Sequence, residues 1–238
     1  DKNCPDKIVV ARKSSPLVIG IGADHKEFFI ASDALPIVEY TKQMVYLNDN
    51  EVALLKIGKK IEINNLNYED ITPEVKEVNI SLESLEKGGF EHFMLKEIYE
   101  QPKTINDTIS PRIKDNDIVI EELNMSDEEI QEITKIHIVA CGSAYHTGVT
   151  AKYVIEGLAR IPVEVDVASE FRYRDPILQK GNMVIVISQS GETADTLAAL
   201  RESKEKGFKV LGIVNVVGSS IAREADSVMY TWAGPEIA

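Results

Sequence analysis

The sequence is poor in cysteine, in basic residues and in long apolar runs. Its 238 residues include two cysteines, Cys4 and Cys141, which lie far apart. Because two isolated cysteines build no disulfide framework, we expect a cytoplasmic protein. No apolar run is long enough to span a bilayer, and no basic and apolar signal sequence opens the chain. We therefore expect no membrane partner.

Acidic residues outnumber basic ones. The 39 aspartates and glutamates and the 26 lysines and arginines give a formal net charge of -13. Surfaces that bind nucleic acid or anionic membranes need clustered Lys and Arg, so this balance argues against both. It does not argue against a small anionic ligand, which a few oriented groups can hold inside an acidic protein.

Three regions of different character divide the chain, and we place them at 1–75, 76–133 and 134–238. The first holds short β-like runs separated by turn signals such as Asn48–Asp49–Asn50–Glu51. It predicts mixed or antiparallel structure, with the last three runs forming an antiparallel meander. The runs are Ile8–Ala11, Leu17–Ile21, Met44–Leu47, Glu51–Ile57 and Lys60–Ile63.

The middle region is polar and acidic, and we interpret it as a connector that carries helices. One helix is predicted over residues 91–100, ended by Pro102, since proline cannot continue a helix. A second begins at Ser126, whose hydroxyl caps the helix while Glu129 reaches back in a capping box.

From residue 134 onward, near-continuous apolar strands alternate with helices. This alternation predicts an α/β fold with a five-stranded, doubly wound parallel sheet in the order 2-1-3-4-5. Such sheets bind ligands at the carboxyl ends of their strands, where the strand order reverses. The predicted strands are 136–140, 163–168, 183–187, 210–214 and 228–231, and the predicted helices are 142–160, 193–206 and 220–225.

Two loops are predicted to meet at that point, one after the first strand and one after the third. The second loop, Ser188–Thr193, contains three hydroxyls and a glycine at a helix N-terminus, where free N–H groups favour an anion. No G-x-x-x-x-G-K-[ST] and no G-x-G-x-x-G pattern occurs. The loop therefore favours a monophosphate on a small sugar over a nucleotide. The alternative is that Ser188 and Thr193 only cap the helix.

Other candidate groups carry weaker signals. Cys141 with His146 suggests a thiol nucleophile, but a small apolar cysteine at a strand end is the commoner case. The stretch Glu170–Asp175 places arginines near a phosphate or forms an exposed turn with salt bridges. No metal-ligand spacing links the four histidines, and we expect no metal.

Six segments along essentially the whole chain form recognisable motifs. They are Ala11–Arg12 with Ser15–Pro16–Leu17–Val18–Ile19–Gly20, Ala31–Ser32–Asp33, Lys96–Glu97–Ile98–Tyr99–Glu100–Gln101–Pro102, Ala140–Cys141–Gly142–Ser143, Ala168–Ser169–Glu170–Phe171–Arg172–Tyr173–Arg174 and Ser188–Gln189–Ser190–Gly191–Glu192–Thr193–Ala194–Asp195–Thr196. These segments resemble the glutamine–fructose-6-phosphate aminotransferase family, and they occur in that family's order. The third region resembles that family's sugar isomerase (SIS) domain, and the connector resembles its interdomain helix. The first region resembles the C-terminal part of its N-terminal-nucleophile glutaminase domain, an incomplete α+β segment.

The resemblance implies transfer of the glutamine amide nitrogen to fructose 6-phosphate, giving glucosamine 6-phosphate and glutamate, without a cofactor. It implies that either phosphosugar is a ligand and that the full-length protein is a homodimer. Where the family often reads Cys-Gly-Thr-Ser, Ala144 replaces the last hydroxyl, which puts that contact in doubt. The residues implied to hold the sugar phosphate are Ser143, Ser188, Gln189, Ser190 and Thr193, with Cys141, Gly142 and Gly191 as further candidates.

The resemblance also implies truncation at both ends. The family's catalytic cysteine would precede residue 1, and Cys4 does not take its place. The last helix of the SIS domain and a second SIS domain would follow Ala238, so we expect this chain alone neither to hydrolyse glutamine nor to complete isomerisation. Two alternatives stay open: a non-catalytic sugar-phosphate sensor, and a free-standing isomerase with Glu192 as the nearby carboxylate.

Overall fold

The computed structural model describes residues 2–13, 15–78 and 87–238, which form two compact units divided after residue 86. Residues 79–86 of the predicted connector lie outside the described residues. The strands are β1 (Lys7–Ala11), β2 (Val18–Ile21), β3 (Phe28–Ala31), β4 (Gln43–Tyr46), β5 (Glu51–Lys56), β6 (Glu62–Asn65), β7 (Asp70–Ile71), β8 (Val75–Glu77), β9 (Ile113–Lys114), β10 (Asp117–Ile118), β11 (Lys135–Ala140), β12 (Val163–Val167), β13 (Asn182–Ser188), β14 (Lys209–Val214) and β15 (Ser227–Tyr230). The helices are α1 (Phe93–Ile109), α2 (Asp127–Gln131), α3 (Gly142–Leu158), α4 (Ala168–Tyr173), α5 (Ala194–Glu205) and α6 (Ser220–Glu224).

The first unit contains two antiparallel sheets of four strands each, in the orders β1-β5-β6-β7 and β3-β2-β4-β8. Ile19 and Val45 of one sheet share a buried cluster with Ala53, Leu55 and Ile63 of the other. Each sheet therefore buries one face against the other. The prediction of antiparallel structure in this region is confirmed.

The predicted three-strand meander of the first unit is wrong in one respect. β5 and β6 pair antiparallel, but β4 pairs with β2 and β8 in the other sheet. The turn before β5 holds Asn50 at φ 66, and the Asn48 amide donates to the Glu51 carboxylate at 2.7 Å. This turn carries the chain from one sheet to the other, because the apolar sides of β4 and β5 face a common core.

Helix α1 contradicts the prediction that Pro102 ends it, because the helix runs on to Ile109. An interior proline costs about 3 kcal/mol. Contacts at the far end of the helix offset that cost. The Thr108 hydroxyl donates to the Thr231 carbonyl, and Arg112 donates to the carbonyls of Thr108 at 2.6 Å and of Tyr230 at 2.9 Å.

The predicted capping box at the start of α2 is confirmed. The Glu129 amide donates to the Ser126 hydroxyl at 3.3 Å, and the Ser126 amide donates to the Glu129 carboxylate at 2.9 Å. Both orphan amides at this short helix are therefore satisfied by side chains.

The parallel sheet of the second unit has the predicted order, β12-β11-β13-β14-β15. Its central strands are buried on both faces. Val139 and Val184 pack with Phe171 on one face, whereas Ile138 and Ile185 belong to a cluster on the other. Two-sided burial explains why these strands read as continuous apolar runs rather than alternating ones.

The register of this sheet fixes where its loops begin. Ala140 at the end of β11 pairs with Ile187 of β13. The residues that follow, Cys141 and Ser188, therefore open the two predicted site loops side by side. Within the described residues, none of the helices is long and apolar enough to cross a membrane.

Candidate functional site: two loops at the carboxyl ends of β11 and β13

The loop between β13 and α5, residues 188–193, is closed by its own hydroxyls. The Ser188 hydroxyl accepts a hydrogen bond from the Gly191 amide at 3.0 Å and lies 2.9 Å from the Thr193 hydroxyl. The Ser190 hydroxyl accepts from the Glu192 amide at 3.2 Å. We call this segment the phosphate loop. Its curvature is held by side chains, so its shape exists before any ligand arrives.

The hydroxyls of the phosphate loop have donor hydrogens that the hydrogen bonds within the loop do not use. A hydroxyl has one donor hydrogen and two acceptor lone pairs. Ser190 uses an acceptor lone pair within the loop, so its O–H is available to donate. Ser188 and Thr193 share one hydrogen bond, so the pair retains a second O–H. Two hydroxyl donors can therefore face an anion from this loop.

Helix α5 adds backbone donors at the same place. Thr193 is its N-cap residue, but its side chain makes no capping hydrogen bond. The interpretation of Thr193 as only a capping residue therefore finds no support, and its hydroxyl bonds Ser188 instead. The first amides of a helix have no intrahelical partner, and the helix dipole favours negative charge there.

Gly191 is required by the shape of the loop. Its φ is 65°, a left-handed conformation that side chains disfavour, and a Cβ there would lie 2.0 Å from the Ser219 Oγ. The backbone of the loop therefore packs directly against Ser219, which follows β14.

The loop after β11 supplies the other side of the site. Cys141 is the N-cap residue of α3, and Gly142 has a φ of 56° with open space around its Cα. Ser143 follows in the first helical turn and is exposed. The Thr196 hydroxyl of α5 donates to the Cys141 sulfur at 3.8 Å. This contact joins the two loops that the strand order brings together.

The thiol-nucleophile interpretation of Cys141 gains no support. Its side chain is half-buried and packs against the core cluster under α5. Of the described residues, only Tyr145 makes a ring contact with His146, and no hydrogen bond joins His146 to Cys141. Cys141 therefore shapes the loop as a small apolar residue.

The arginines after β12 form salt bridges, which is one of the two predicted outcomes, and the segment 168–173 is the helix α4 rather than a turn. Arg172 pairs with Asp195 in the first turn of α5 at 3.0 Å. Arg174 pairs with Glu164 and Asp166, both at 2.5 Å. Arg172 thus places a positive charge beside the phosphate loop, while Arg174 forms ion pairs with the edge strand β12.

A cluster that the sequence did not predict lies on β11 and β12. The side chains of His137, Glu164 and Asp166 place three ligand-type atoms within 4.8 Å of one another. His137 is buried and burial lowers its pKa, while the hydrogen bond with Lys135 holds the pKa of Glu164 at about 2. Because Lys135 and Arg174 already neutralise the carboxylates, we assign this cluster to an ion-pair network of the sheet.

Two cavities lie away from these loops, at the amino ends of the strands. One, of about 430 Å³, is lined by Lys204, Lys209 and Asp226, among others. The other, of about 310 Å³, lies over Lys135 and Asn182. Their lysines are engaged, since Lys204 pairs with Asp226 and Lys209 with Glu129. The candidate site therefore lies at the two loops rather than in either cavity.

Comparison with known proteins finds a domain family that matches most of the second unit. The sequence model of the SIS domain family matches residues 129–238. These residues are therefore similar to the SIS domain family. The solved C-terminal domain of glucosamine-fructose-6-phosphate aminotransferase from Francisella tularensis is 46% identical with a TM-score of 0.61, over 64% of this chain and 43% of that chain.

The resemblance to the aminotransferase family is confirmed over the whole chain. The chain is 56% identical over 238 residues to glutamine–fructose-6-phosphate aminotransferase (isomerizing) of Caldanaerobacter subterraneus subsp. tengcongensis, which covers 100% of this chain. It is 54% identical over 236 residues, 98% of this chain, to the protein of the same name from Clostridium tetani. The chain spans 39% and 38% of the lengths of these two relatives.

Proposed function

We propose that this chain holds the phosphate group of fructose 6-phosphate or glucosamine 6-phosphate between the loops after β11 and β13. In this proposal it is part of an enzyme that transfers the glutamine amide nitrogen to fructose 6-phosphate, giving glucosamine 6-phosphate and glutamate. The observation that carries the proposal is the preformed phosphate loop, whose hydroxyls converge at the free N-terminus of α5. The names of its relatives support the choice of sugar.

In this proposal the residues of the phosphate loop have different roles, set by their positions. Ser190 and the Ser188–Thr193 pair donate hydroxyl protons to phosphate oxygens, and the first amides of α5 add backbone donors. Gln189 lies between them, and its carbonyl is fixed by the amides of Asn215 at 3.0 Å and Val216 at 3.3 Å. Gly191 allows the backbone to approach the anion closely.

The loop after β11 completes the cradle from the opposite side. Exposed Ser143 offers a hydroxyl in the first turn of α3, and Gly142 leaves room beside it. Ala144 offers no hydroxyl at the next position, so the phosphate receives one hydroxyl from this loop. Cys141 holds the loop against α5 through Thr196.

The first unit favours an enzyme subunit over a sugar-phosphate sensor. Its two antiparallel sheets fall within the segment that matches the aminotransferase relatives at 56% identity. A sensor would instead join the SIS domain to a DNA-binding or partner module. We propose that this unit is the C-terminal part of a glutaminase-like domain and that the full-length protein is a homodimer.

Calorimetric titration tests the proposed ligand. The chain is titrated with fructose 6-phosphate, with fructose and inorganic phosphate as controls. We expect binding of the phosphosugar and none of fructose, because the donors described above address the phosphate. Binding of fructose with the same affinity as fructose 6-phosphate would refute the proposal, as would no heat at millimolar phosphosugar in a folded chain.

A further inference from the structure

The segment after β14, residues 215–221, supports the phosphate loop from behind. The amides of Asn215 and Val216 donate to the Gln189 carbonyl, and the Ile221 amide donates to the Gly191 carbonyl at 3.0 Å. A side chain makes a further link, because the Glu192 carboxylate accepts from the Ser220 amide at 2.8 Å. The phosphate loop is thus tied to a second loop at three of its six residues, 189, 191 and 192.

The hydrogen bond from Ser220 to Glu192 differs from the other links, because its acceptor is a side chain. The sequence position of Glu192, just before α5, suggests a role in capping that helix. In the structure its Oε1 instead reaches the amide at the start of α6, a different helix. Ser219 and Ser220 beside it are buried, at 3% and 1% exposure. A charge-assisted hydrogen bond in such a position is stronger than one exposed to water.

The neighbours of Glu192 make its position matter for the ligand. Gly191 before it packs on Ser219, and Thr193 after it carries one of the hydroxyls of the proposed site. If the Glu192 tie is lost, the phosphate loop keeps its backbone hydrogen bonds to residues 215–221 but loses this side-chain one. A loop that is already held in its binding conformation binds its ligand more tightly, because less conformational entropy is lost on binding.

We propose that Glu192 is a positioning residue, which fixes the phosphate loop on the start of α6 so that Ser190 and Thr193 converge on the phosphate. The inference rests on the proposed function, since it deepens the account of the same site. The Glu192 carboxylate contacts the neighbouring loop, at the Ser220 amide. This contact argues against Glu192 as the general base that a free-standing isomerase would need.

Three variants test this role. Glu192→Ala removes the tie, and Glu192→Gln keeps an oxygen that accepts from the Ser220 amide. Glu224→Ala is the matched control, because it breaks the ion pair of α6 with Arg201 at 2.7 Å, at the other end of α6. We expect Glu192→Ala to weaken fructose 6-phosphate binding about tenfold, since the loop loses its preorganisation. Glu192→Gln restores most of the affinity, and Glu224→Ala lowers the melting temperature while leaving the affinity unchanged.

Amide hydrogen exchange without ligand gives a second readout. In Glu192→Ala, exchange at Ser220 and Ile221 is expected to accelerate, while the amides in the middle of β13 stay protected. Unchanged exchange at both residues overturns the inference, whether or not the chain binds a phosphosugar. Unchanged affinity in Glu192→Ala, or no rescue by Glu192→Gln, overturns it as well. Failure of the unaltered chain to bind refutes the proposed ligand, and exchange then decides the role of Glu192 alone.

Discussion

Gly191→Ala is expected to abolish measurable binding of fructose 6-phosphate and to destabilise the second unit. The new Cβ would lie 2.0 Å from the Ser219 Oγ and 2.6 Å from the Ser219 Cβ, and the φ of 65° disfavours any side chain. The clash lies against a buried serine at the start of α6, so the phosphate loop must move. Overpacking and left-handed strain together cost about 2–4 kcal/mol.

The control for this substitution is Gly207→Ala. Gly207 has a φ of 83°, but no atom lies within 4 Å of the added Cβ. Gly207→Ala therefore introduces the backbone strain without the clash, and Gly207 lies beyond the C-terminal end of α5. Chemical denaturation gives the loss of stability for each variant, and calorimetry gives the affinity. If Gly191→Ala bound the phosphosugar as tightly as Gly207→Ala, the packing of the loop on Ser219 would not matter for the ligand.

Ser190→Ala is expected to weaken phosphosugar binding by about 10- to 100-fold, because a hydrogen bond to a charged group is worth about 1.5–3 kcal/mol. The substitution removes a hydroxyl donor of the proposed site and the acceptor of the Glu192 amide. Ser190 is half-buried at the edge of the loop, so little packing is lost. The affinity should therefore fall much more than the free energy of unfolding.

Ser203→Ala is the matched control for Ser190→Ala. Ser203 is a buried hydroxyl of α5 that donates to the Ala199 carbonyl at 2.8 Å, about three helical turns from the phosphate loop. We expect this variant to bind fructose 6-phosphate like the unaltered chain. Equal affinities for Ser190→Ala and Ser203→Ala, measured by calorimetry, would remove Ser190 from the site.

The parallel sheet was predictable because its central strands are buried on both faces and read as apolar runs. Short-range signals also sufficed for the capping box at Ser126, whose partner lies three residues away. Helix α1 was not predictable beyond Pro102, since the contacts that hold its end come from Tyr230 and Thr231. The placement of β4 and β5 in different sheets likewise depends on a core that no local pattern records.

The two loops of the site were predictable from strand order alone, because neighbouring parallel strands end at the same edge. The internal bonds of the phosphate loop follow from its hydroxyls and glycine. Its support from residues 215–221 was not predictable, because the Glu192 carboxylate reaches a partner 28 residues away. The cluster around His137 could not be predicted from the sequence, because it depends on the pairing of β11 with β12 that places His137 beside Glu164.

A crystal structure of the chain with fructose 6-phosphate tests the central claim most directly. The account predicts the phosphate between the two loops, with its oxygens about 2.5–3.0 Å from the hydroxyls of Ser143, Ser190 and Thr193. A phosphate bound instead in the cavity lined by Lys204 and Lys209, with the phosphate loop empty, would contradict the account.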